Sequence, residues 1–279
     1  MEQYRRDDLV FDVRDSGPPD GPVVVLLHGF PQHNDSWDAV TARLTAQGYR
    51  CLAPNQRGYS PGARPRRRRD YVIGELVADV GALIDASGAD RVHLVGHDWG
   101  AAVAWGVAAE MPERLATVTP VSVPHPAAFL KAIATSRQGL ASWYMYVFQL
   151  PWLPEYLLRR ADGKFAQRSL TRIGQTPENA RRDAQAMLEP GALTAGLNWY
   201  RGMPLINPRA ATGRITVPTM FVWSDDDAAL LAKGAYDTEK YVSGEYRFEV
   251  MAGASHWIPE ERPEELAGLL LDWFAAHPI

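Results

Sequence analysis

Asp98 stands at the centre of Gly96-His97-Asp98-Trp99-Gly100, between the apolar run Val92 to Val95 and the small-residue stretch Ala101 to Ala109. This is the pattern of a nucleophile elbow, where a strand passes so sharply into a helix that the apex residue is strained and exposed. Neighbouring side chains would collide in such a turn, and Gly96 and Gly100 supply the room. The helix N-terminus beyond it presents free backbone N–H groups and a partial positive charge to whatever reacts at the apex. A carboxylate, with an ordinary pKa near about 4, is already ionised at neutral pH and needs no base to activate it. Against an ester carbonyl its attack is futile, because the mixed anhydride collapses back. Against saturated carbon it displaces a leaving group and leaves an alkyl ester on the protein. The chemistry expected of Asp98 is therefore the opening of a strained ring or the expulsion of a halide, and not that of an esterase, lipase or peptidase.

An alkyl ester must then be hydrolysed, which requires a general base. His256, in Gly253-Ala254-Ser255-His256-Trp257 after the last apolar run, is placed to be it. Of the other histidines, His93 lies within a strand run, His28 and His97 belong to backbone-shaping motifs, and His277 is terminal. The acid that orients His256 is expected in Ser224-Asp225-Asp226-Asp227, since no Asp or Glu occurs between Leu115 and Leu130. Asp227, a turn beyond the strand end, is the first choice and Asp225 the alternative, with the other aspartates as turn formers. After the run Val23 to Leu27 comes His28-Gly29-Phe30-Pro31, where Gly29 permits close backbone approach and Pro31 is a candidate for a cis peptide bond. The N–H groups of Phe30 and Trp99 form a candidate oxyanion hole.

Alternating strands and helices must hold these groups. Strands are expected at Leu9 to Val13, Val23 to Leu27, Tyr49 to Ala53 and Val92 to Val95. Unbroken apolar runs such as Val23 to Leu27 suit strands buried on both faces. A helix is expected from Trp37, with Asp35 or Ser36 as N-cap and Gly48 beyond its end. Another runs from Ile73, where Leu76, Val77, Val80, Leu83 and Ile84 recur at helical spacing, and closes at Gly88. A third spans Trp99 to Met111, stopped by Pro112. Pro120 would interrupt a ladder, so the strand starting near Leu115 is expected to end early. From His125 to about Gly213 no strand is convincing, and a helix capped by Thr176 with Pro177 at its first position falls there. Strands resume at Thr219 to Trp223 and Tyr246 to Met251, and a helix at about Pro263 to Ala276 closes the chain. The fold class is α/β, a mostly parallel sheet with helices on both faces and an inserted helical lid. The expected division is 1–124 and 214–279 for the core and 125–213 for the lid.

Composition narrows the partners. With 46% hydrophobic and 22% charged residues the chain reads as an ordinary soluble domain, and a net charge of −4 gives no case for nucleic acid or anionic membrane. Arg66 to Arg69, between Pro65 and Asp70 and without interleaved aromatics, reads as a solvated loop face. Met1 to Asp8 is charged and no stretch approaches ~18 apolar residues, so a cytoplasmic protein is expected. The single cysteine, Cys51, excludes an internal disulfide and reads as a buried filler. The histidines show no metal-ligand spacing, so neither metal nor cofactor is expected. Lysine occurs only at 131, 164, 233 and 240 among 29 basic residues, a bias of GC-rich bacterial genomes.

In the order HGFP, GHDWG, lid, Ser-Asp-Asp-Asp loop and Gly-Ala-Ser-His-Trp, the chain resembles the α/β-hydrolase superfamily, specifically its epoxide hydrolases, along essentially its whole length. That resemblance implies two lid tyrosines that hydrogen-bond an epoxide oxygen. Ser142-Trp143-Tyr144-Met145-Tyr146-Val147-Phe148-Gln149 is similar to the segment bearing the first and Leu197-Asn198-Trp199-Tyr200-Arg201 to that bearing the second. Tyr144 and Tyr200 are the implied pair, and Tyr146 replaces Tyr144 if the lid helix is rotated. The loop Asn55-Gln56-Arg57-Gly58-Tyr59-Ser60-Pro61 departs from the Arg-Gly-Tyr-Gly form common in the family, outside the expected chemistry. The implied reaction is hydrolysis of an epoxide to a vicinal diol, without a cofactor, in a monomer or homodimer. Trp143, Phe148, Trp152 and Leu153 suggest an apolar, aryl-bearing small-molecule substrate. The alternative is a dehalogenase of the same fold. Haloalkane dehalogenases usually carry asparagine where Phe30 stands, and fluoroacetate dehalogenases arginine where Trp99 stands. A non-catalytic ligand receptor on the same scaffold is the rival from another class, yet a pure binder has no need of Asp98, Asp227 and His256 together.

Overall fold

Every residue of Val23–Leu27 is buried, and its side chains divide by parity: Val23, Val25 and Leu27 enter one apolar cluster, Val24 and Leu26 another. That division is the period of two expected of a strand covered on both faces. The computed structural model describes residues 1–205 and 213–279. Its strands are β1 (Gln3–Arg6), β2 (Leu9–Ser16), β3 (Val23–Leu27), β4 (Arg50–Pro54), β5 (Val92–His97), β6 (Leu115–Val121), β7 (Thr219–Ser224) and β8 (Tyr246–Met251). They form one sheet in the order β1-β2-β4-β3-β5-β6-β7-β8, parallel from β4 onward and antiparallel at β1 and β2.

The core helices are α1 (Asp38–Ala46), α2 (Ile73–Ser87) and α3 (Trp99–Glu110). Between β6 and β7 follow α4 (Pro126–Thr135), α5 (Gln138–Ala141), α6 (Trp143–Val147), α7 (Leu153–Arg159), α8 (Lys164–Arg172), α9 (Pro177–Ala186) and α10 (Ala192–Gly202). The last are α11 (Ala232–Asp237), α12 (Ile258–Glu261) and α13 (Pro263–Ala276). Residues of α2 and α3 pack with Val25, Leu27 and Leu94 on one face of the sheet. Those of α1 and α13 pack with Val24, Leu26 and Val95 on the other. Among the described residues between β6 and β7 there is no strand; the helices α8 to α10 share a smaller apolar cluster that reaches the core through Trp257 and Phe30. Cys51 is fully buried, and Arg66 to Arg69 are exposed.

Two expectations need correction, and one strand was not foreseen. Within Met1 to Asp8 lies β1, which pairs with β2 as a hairpin; only Tyr4 of its four residues is buried, stacked on Phe11 at 4.6 Å. One inward side chain in a charged segment leaves no apolar alternation to read. The helix expected from Trp37 begins as a single 3-10 turn, Asn34–Trp37, and becomes α-helical at Asp38. Ser36 does not cap it; its hydroxyl donates to the His33 carbonyl at 2.8 Å, and Asp35 pairs with Arg182 at 3.5 Å. The strand containing Pro120 does not end early. The backbone nitrogens of Val118 and Ser122 both donate toward β7, so by alternation the proline nitrogen faces the same side. The ladder to β5 is continuous through Gly96↔Pro120, and the cost appears on the other side, where the register runs from Val118↔Thr219 to Val121↔Val222 with no pair between.

Candidate active site

All the strand ends that matter lie at one edge of the sheet, the carboxyl edge where α/β sheets collect their chemistry. At the end of β5, Asp98 has φ 52° and ψ −119°, and α3 begins at the next residue. A non-glycine residue held there costs about 1–3 kcal/mol. The surrounding glycines explain how it is tolerated. A Cβ on Gly96 would overlap the Gly100 carbonyl, one on Gly100 the Leu27 carbonyl, and one on Gly29 the Asp98 side chain itself. The Phe30–Pro31 bond is cis. The Phe30 N–H donates to Asp98 Oδ1 at 2.8 Å, and Trp99, the other expected oxyanion donor, is the first residue of α3, whose N–H groups lack intrahelical partners.

Asp227 and His256 come from the loops after β7 and β8. His256 Nδ1 donates to Asp227 Oδ2 at 2.7 Å, and its Nε2 lies 3.4 Å from Asp98 Oδ2. The other oxygen of Asp227 accepts the Ala229 and Leu230 N–H groups at 2.7 and 2.9 Å, which aims the carboxylate. Asp225, the alternative acid, is exposed and accepts the Gly253 N–H instead, serving the turn beneath His256. Burial alone would depress the His256 imidazole, but the carboxylates of Asp227 and Asp98 overcome it and push it up to about 10. Burial would raise Asp98, yet the His256 hydrogen bond and charge, with His97 and the Phe30 N–H, hold it below its ordinary value. The two carboxylates that flank the ring thus favour its charged form.

Sequence reasoning left several supports unassigned. The His256 carbonyl accepts from Ser122 Oγ at 3.0 Å and from His97 Nε2 at 2.9 Å, and Ser224 Oγ donates to the Ser255 carbonyl at 2.8 Å. Ser122 directly follows β6 and Ser224 ends the adjacent β7, and that position is the only signal that could have pointed to them. His28 shapes the backbone as expected. Its Nε2 accepts the Gln56 N–H at 3.1 Å, so Nδ1 carries the proton toward the Gly29 carbonyl at 3.0 Å. Gln56, in the loop that departs from the family form, also donates from Nε2 to the His28 carbonyl at 2.5 Å.

Tyr144 on α6 and Tyr200 on α10 line, with Asp98, Trp99 and Leu230, a cavity of about 340 Å³. Tyr146 is 60% exposed and is not in that lining, so the phase of α6 brings Tyr144 rather than Tyr146 to Asp98. The Tyr200 ring stands edge-on to Trp99 at 5.1 Å and to Phe30 at 5.4 Å, and its carbonyl accepts from Gln149 Nε2 at 2.8 Å. Among the described residues the Tyr144 hydroxyl has no protein partner, whereas the Tyr200 hydroxyl has a side-chain hydrogen bond with Trp99. Burial, then the charge of Asp98, raises both phenols above their ordinary value, so both remain proton donors. Among the described residues no cluster of three or more His, Cys, Asp or Glu is placed to hold a metal, and no helix is long and apolar enough to cross a membrane.

The sheet order and an aspartate elbow backed by an Asp–His pair define an α/β hydrolase, and residues 22–263 match the family described as alpha/beta hydrolase fold. The chain is 35% identical over 271 residues to the AB hydrolase superfamily protein YfhM of Bacillus subtilis, covering 95% of this chain and 94% of that one. It is 33% identical over 268 residues to Epoxide hydrolase 3 of Xenopus tropicalis, covering 92% and 72%. The crystal structure of Epoxide Hydrolase A from Mycobacterium thermoresistibile superposes with a TM-score of 0.84 at 27% identity, covering 99% of this chain and 98% of that one. The chain belongs to the α/β-hydrolase family and, within it, to the epoxide hydrolases.

Proposed function

We propose that this protein hydrolyses a small apolar or aryl epoxide to a vicinal diol through an ester on Asp98. Asp98 Oδ1 already sits on the Phe30 N–H, which leaves Oδ2 as the attacking atom. It forms a bond to one ring carbon as the C–O bond of the epoxide breaks, and the departing oxygen takes a proton from Tyr144 or Tyr200. Esterification removes the charge of Asp98, one of the two that raise the His256 pKa, so the imidazolium loses its proton more easily just when a base is needed. Neutral His256, oriented by Asp227, then takes a proton from water, and the resulting hydroxide adds to the Asp98 carbonyl carbon. The oxyanion rests on the Phe30 and Trp99 amides, and collapse releases the diol. The proton that the imidazolium gives up restores the tyrosine, and the proton taken from water restores the imidazolium, so the cycle consumes one epoxide and one water. Residues 125–213 act as a lid over a core of 1–124 and 214–279; the stretch 206–212 of that lid lies outside the described residues.

The observation that carries this reading is that the Asp227–His256 pair and both inward tyrosines converge on one carboxylate at an elbow. The test is the intact mass of His256→Ala after incubation with an equimolar mixture of an aryl epoxide and a haloalkane. A gain equal to the whole epoxide, mapping to Asp98, supports it. A gain equal to the alkyl group without its halide moves the protein to dehalogenation.

A further inference from the structure

His97, the residue before the nucleophile, is fully buried, and each of its ring nitrogens faces an oxygen: Nε2 the His256 carbonyl at 2.9 Å, Nδ1 the Gln32 Oε1 at 3.0 Å. A neutral imidazole has a single N–H and can satisfy only one of them. The backbone carbonyl cannot donate, so it fixes that proton on Nε2. Nδ1 is then a bare acceptor, and the Gln32 amide, whose two ends exchange by a half-turn, must present its NH₂ group there. The same half-turn sets the amide oxygen against Glu260 Oε2, which lies 2.7 Å from the other end of the amide. Two acceptors that close repel unless one carries a proton, and of the two only the Glu260 carboxyl can. The other way to satisfy the chain is an imidazolium at His97. Burial and the charge of His256, whose ring is 4.9 Å away, both oppose it.

A count of charge on the far side of Glu260 leads to the same place. Arg182, on the lid helix α9, reaches Glu260 Oε1 at 2.6 Å, Asp183 Oδ1 at 2.8 Å and Asp35 Oδ2 at 3.5 Å, and among the described residues no second lysine or arginine pairs with these carboxylates. Glu260 and Asp183 have side chains only 7% and 1% exposed, too buried for one guanidinium to keep every carboxyl of the cluster ionised. Asp183 is the better anion, since Gln175 Nε2 donates to its Oδ2 at 2.5 Å while the same nitrogen is 3.4 Å from Glu260 Oε2. A charge on Glu260 would work against Asp183, which burial already raises to about 7. The charged groups that face this chain are thus Asp98, Asp227 and His256 at the His97 end, and Arg182, Asp183 and Asp35 at the Glu260 end.

We infer that Glu260 is a carboxylic acid in the resting protein and acts as a positioning residue: its proton, answered through the Gln32 amide, keeps His97 neutral with the Nε2–H on the His256 carbonyl. The base is thereby steadied through its backbone without a second cation beside its ring. The lid supplies part of the device, because Arg182 and Asp183 belong to α9. The consequence for ester hydrolysis rests on the epoxide reading above; the protonation state does not.

The test is the infrared difference spectrum of the full-length protein and Glu260→Gln at about pH 8, where an ordinary carboxyl is ionised. A protonated-carboxyl C=O band should be present in the unmodified protein, absent from Glu260→Gln and retained in Asp183→Asn. Ring-¹⁵N histidine resonances of the unmodified protein, correlated with their own backbones, should show His97 neutral with its proton on Nε2. Glu260→Gln preserves the shape and the donor of the acid, so that His97 state should persist in it. Gln32→Glu combined with Glu260→Gln instead sets a carboxylate against Nδ1 and should turn His97 into an imidazolium. Relative to Glu260→Gln, the rising limb of the pH profile for ester hydrolysis should then move down by about half a pH unit, the interaction of two unit charges about 5 Å apart at the dielectric of water. No protonated-carboxyl band, a band lost with Asp183→Asn instead, or a His97 that is doubly protonated or carries its proton on Nδ1 overturns the inference. Coincident limbs in the two variants overturn the positioning role. Failure to turn over any epoxide overturns the epoxide reading and leaves both spectra to decide the state of Glu260.

Discussion

Two regions meet at Asp98 and hold their functional groups by different means. On the sheet side, Asp98, Asp227 and His256 are each fixed by backbone hydrogen bonds or by glycines that leave no other path for the chain. On the helical side, Tyr144 and Tyr200 are placed by packing: Tyr200 by the edges of Trp99 and Phe30, Tyr144 by the phase of a five-residue helix. The sheet edge fixes where charge can form, and the lid sets how well a given molecule meets it. Changes to the sheet side should therefore act on every substrate alike, whereas changes to the lid should scale with the substrate.

The largest effect is expected from Asp98→Asn, which keeps the shape and removes the nucleophile. Turnover should fall by about 10⁴ or more for every epoxide, with melting temperature little changed. Activity that varies from substrate to substrate in this variant would break the comparison. Next is His256→Gln, expected to lower steady-state turnover by about 10³ while leaving a burst of one equivalent per site, since only the second step needs the base. Rapid-quench measurement of the ester checks it; loss of the burst would mean that the imidazole also serves the first step.

Much of this contrast was legible in the chain. The both-face burial of β3 and β5 is written in unbroken apolar runs, and the elbow in a five-residue pattern whose glycines have no space for a Cβ. Local geometry of that kind leaves a local trace. The supports of His256 leave none, because Ser122 and His97 act through a carbonyl 134 and 159 residues away in sequence. β1 escaped because a single inward Tyr4 carries its packing. The choice between Tyr144 and Tyr146 depends on helix phase, which a short segment between turns does not encode by periodicity.

The lid side is tested by its tyrosines. Tyr200→Phe and Tyr144→Phe should each cost about 10²-fold in kcat, by analogy with loss of one donor to a developing oxyanion, and by amounts that differ among epoxides. Tyr146→Phe should change kcat less than twofold, because that side chain faces solvent. Equal losses at positions 144 and 146 would mean that α6 rotates as substrate binds.

The smallest effect isolates the sheet side through pH. His256 is raised from its ordinary 6.5 to about 10, so its contribution to stability is complete below about 6.5 and is lost as pH rises toward about 10. His28 and His93 are depressed to about 3, and His97 and His125 to about 4, chiefly by burial; stability from these is lost as pH falls below about 6.5. Asp183, raised to about 7 chiefly by burial, opposes that acid limb. Cys51, raised to about 12 by burial, and the raised lid tyrosines contribute only above the ordinary thiol and phenol values. Between about pH 8 and about pH 9, above the Asp183 titration and below the ordinary thiol value, the slope therefore belongs chiefly to His256. Melting temperature should decline by a few degrees across that window, and His256→Gln should flatten it while keeping the acid limb. A slope that survives in His256→Gln would place the titrating group elsewhere and would dissolve the ion pair on which the sheet side's advantage rests.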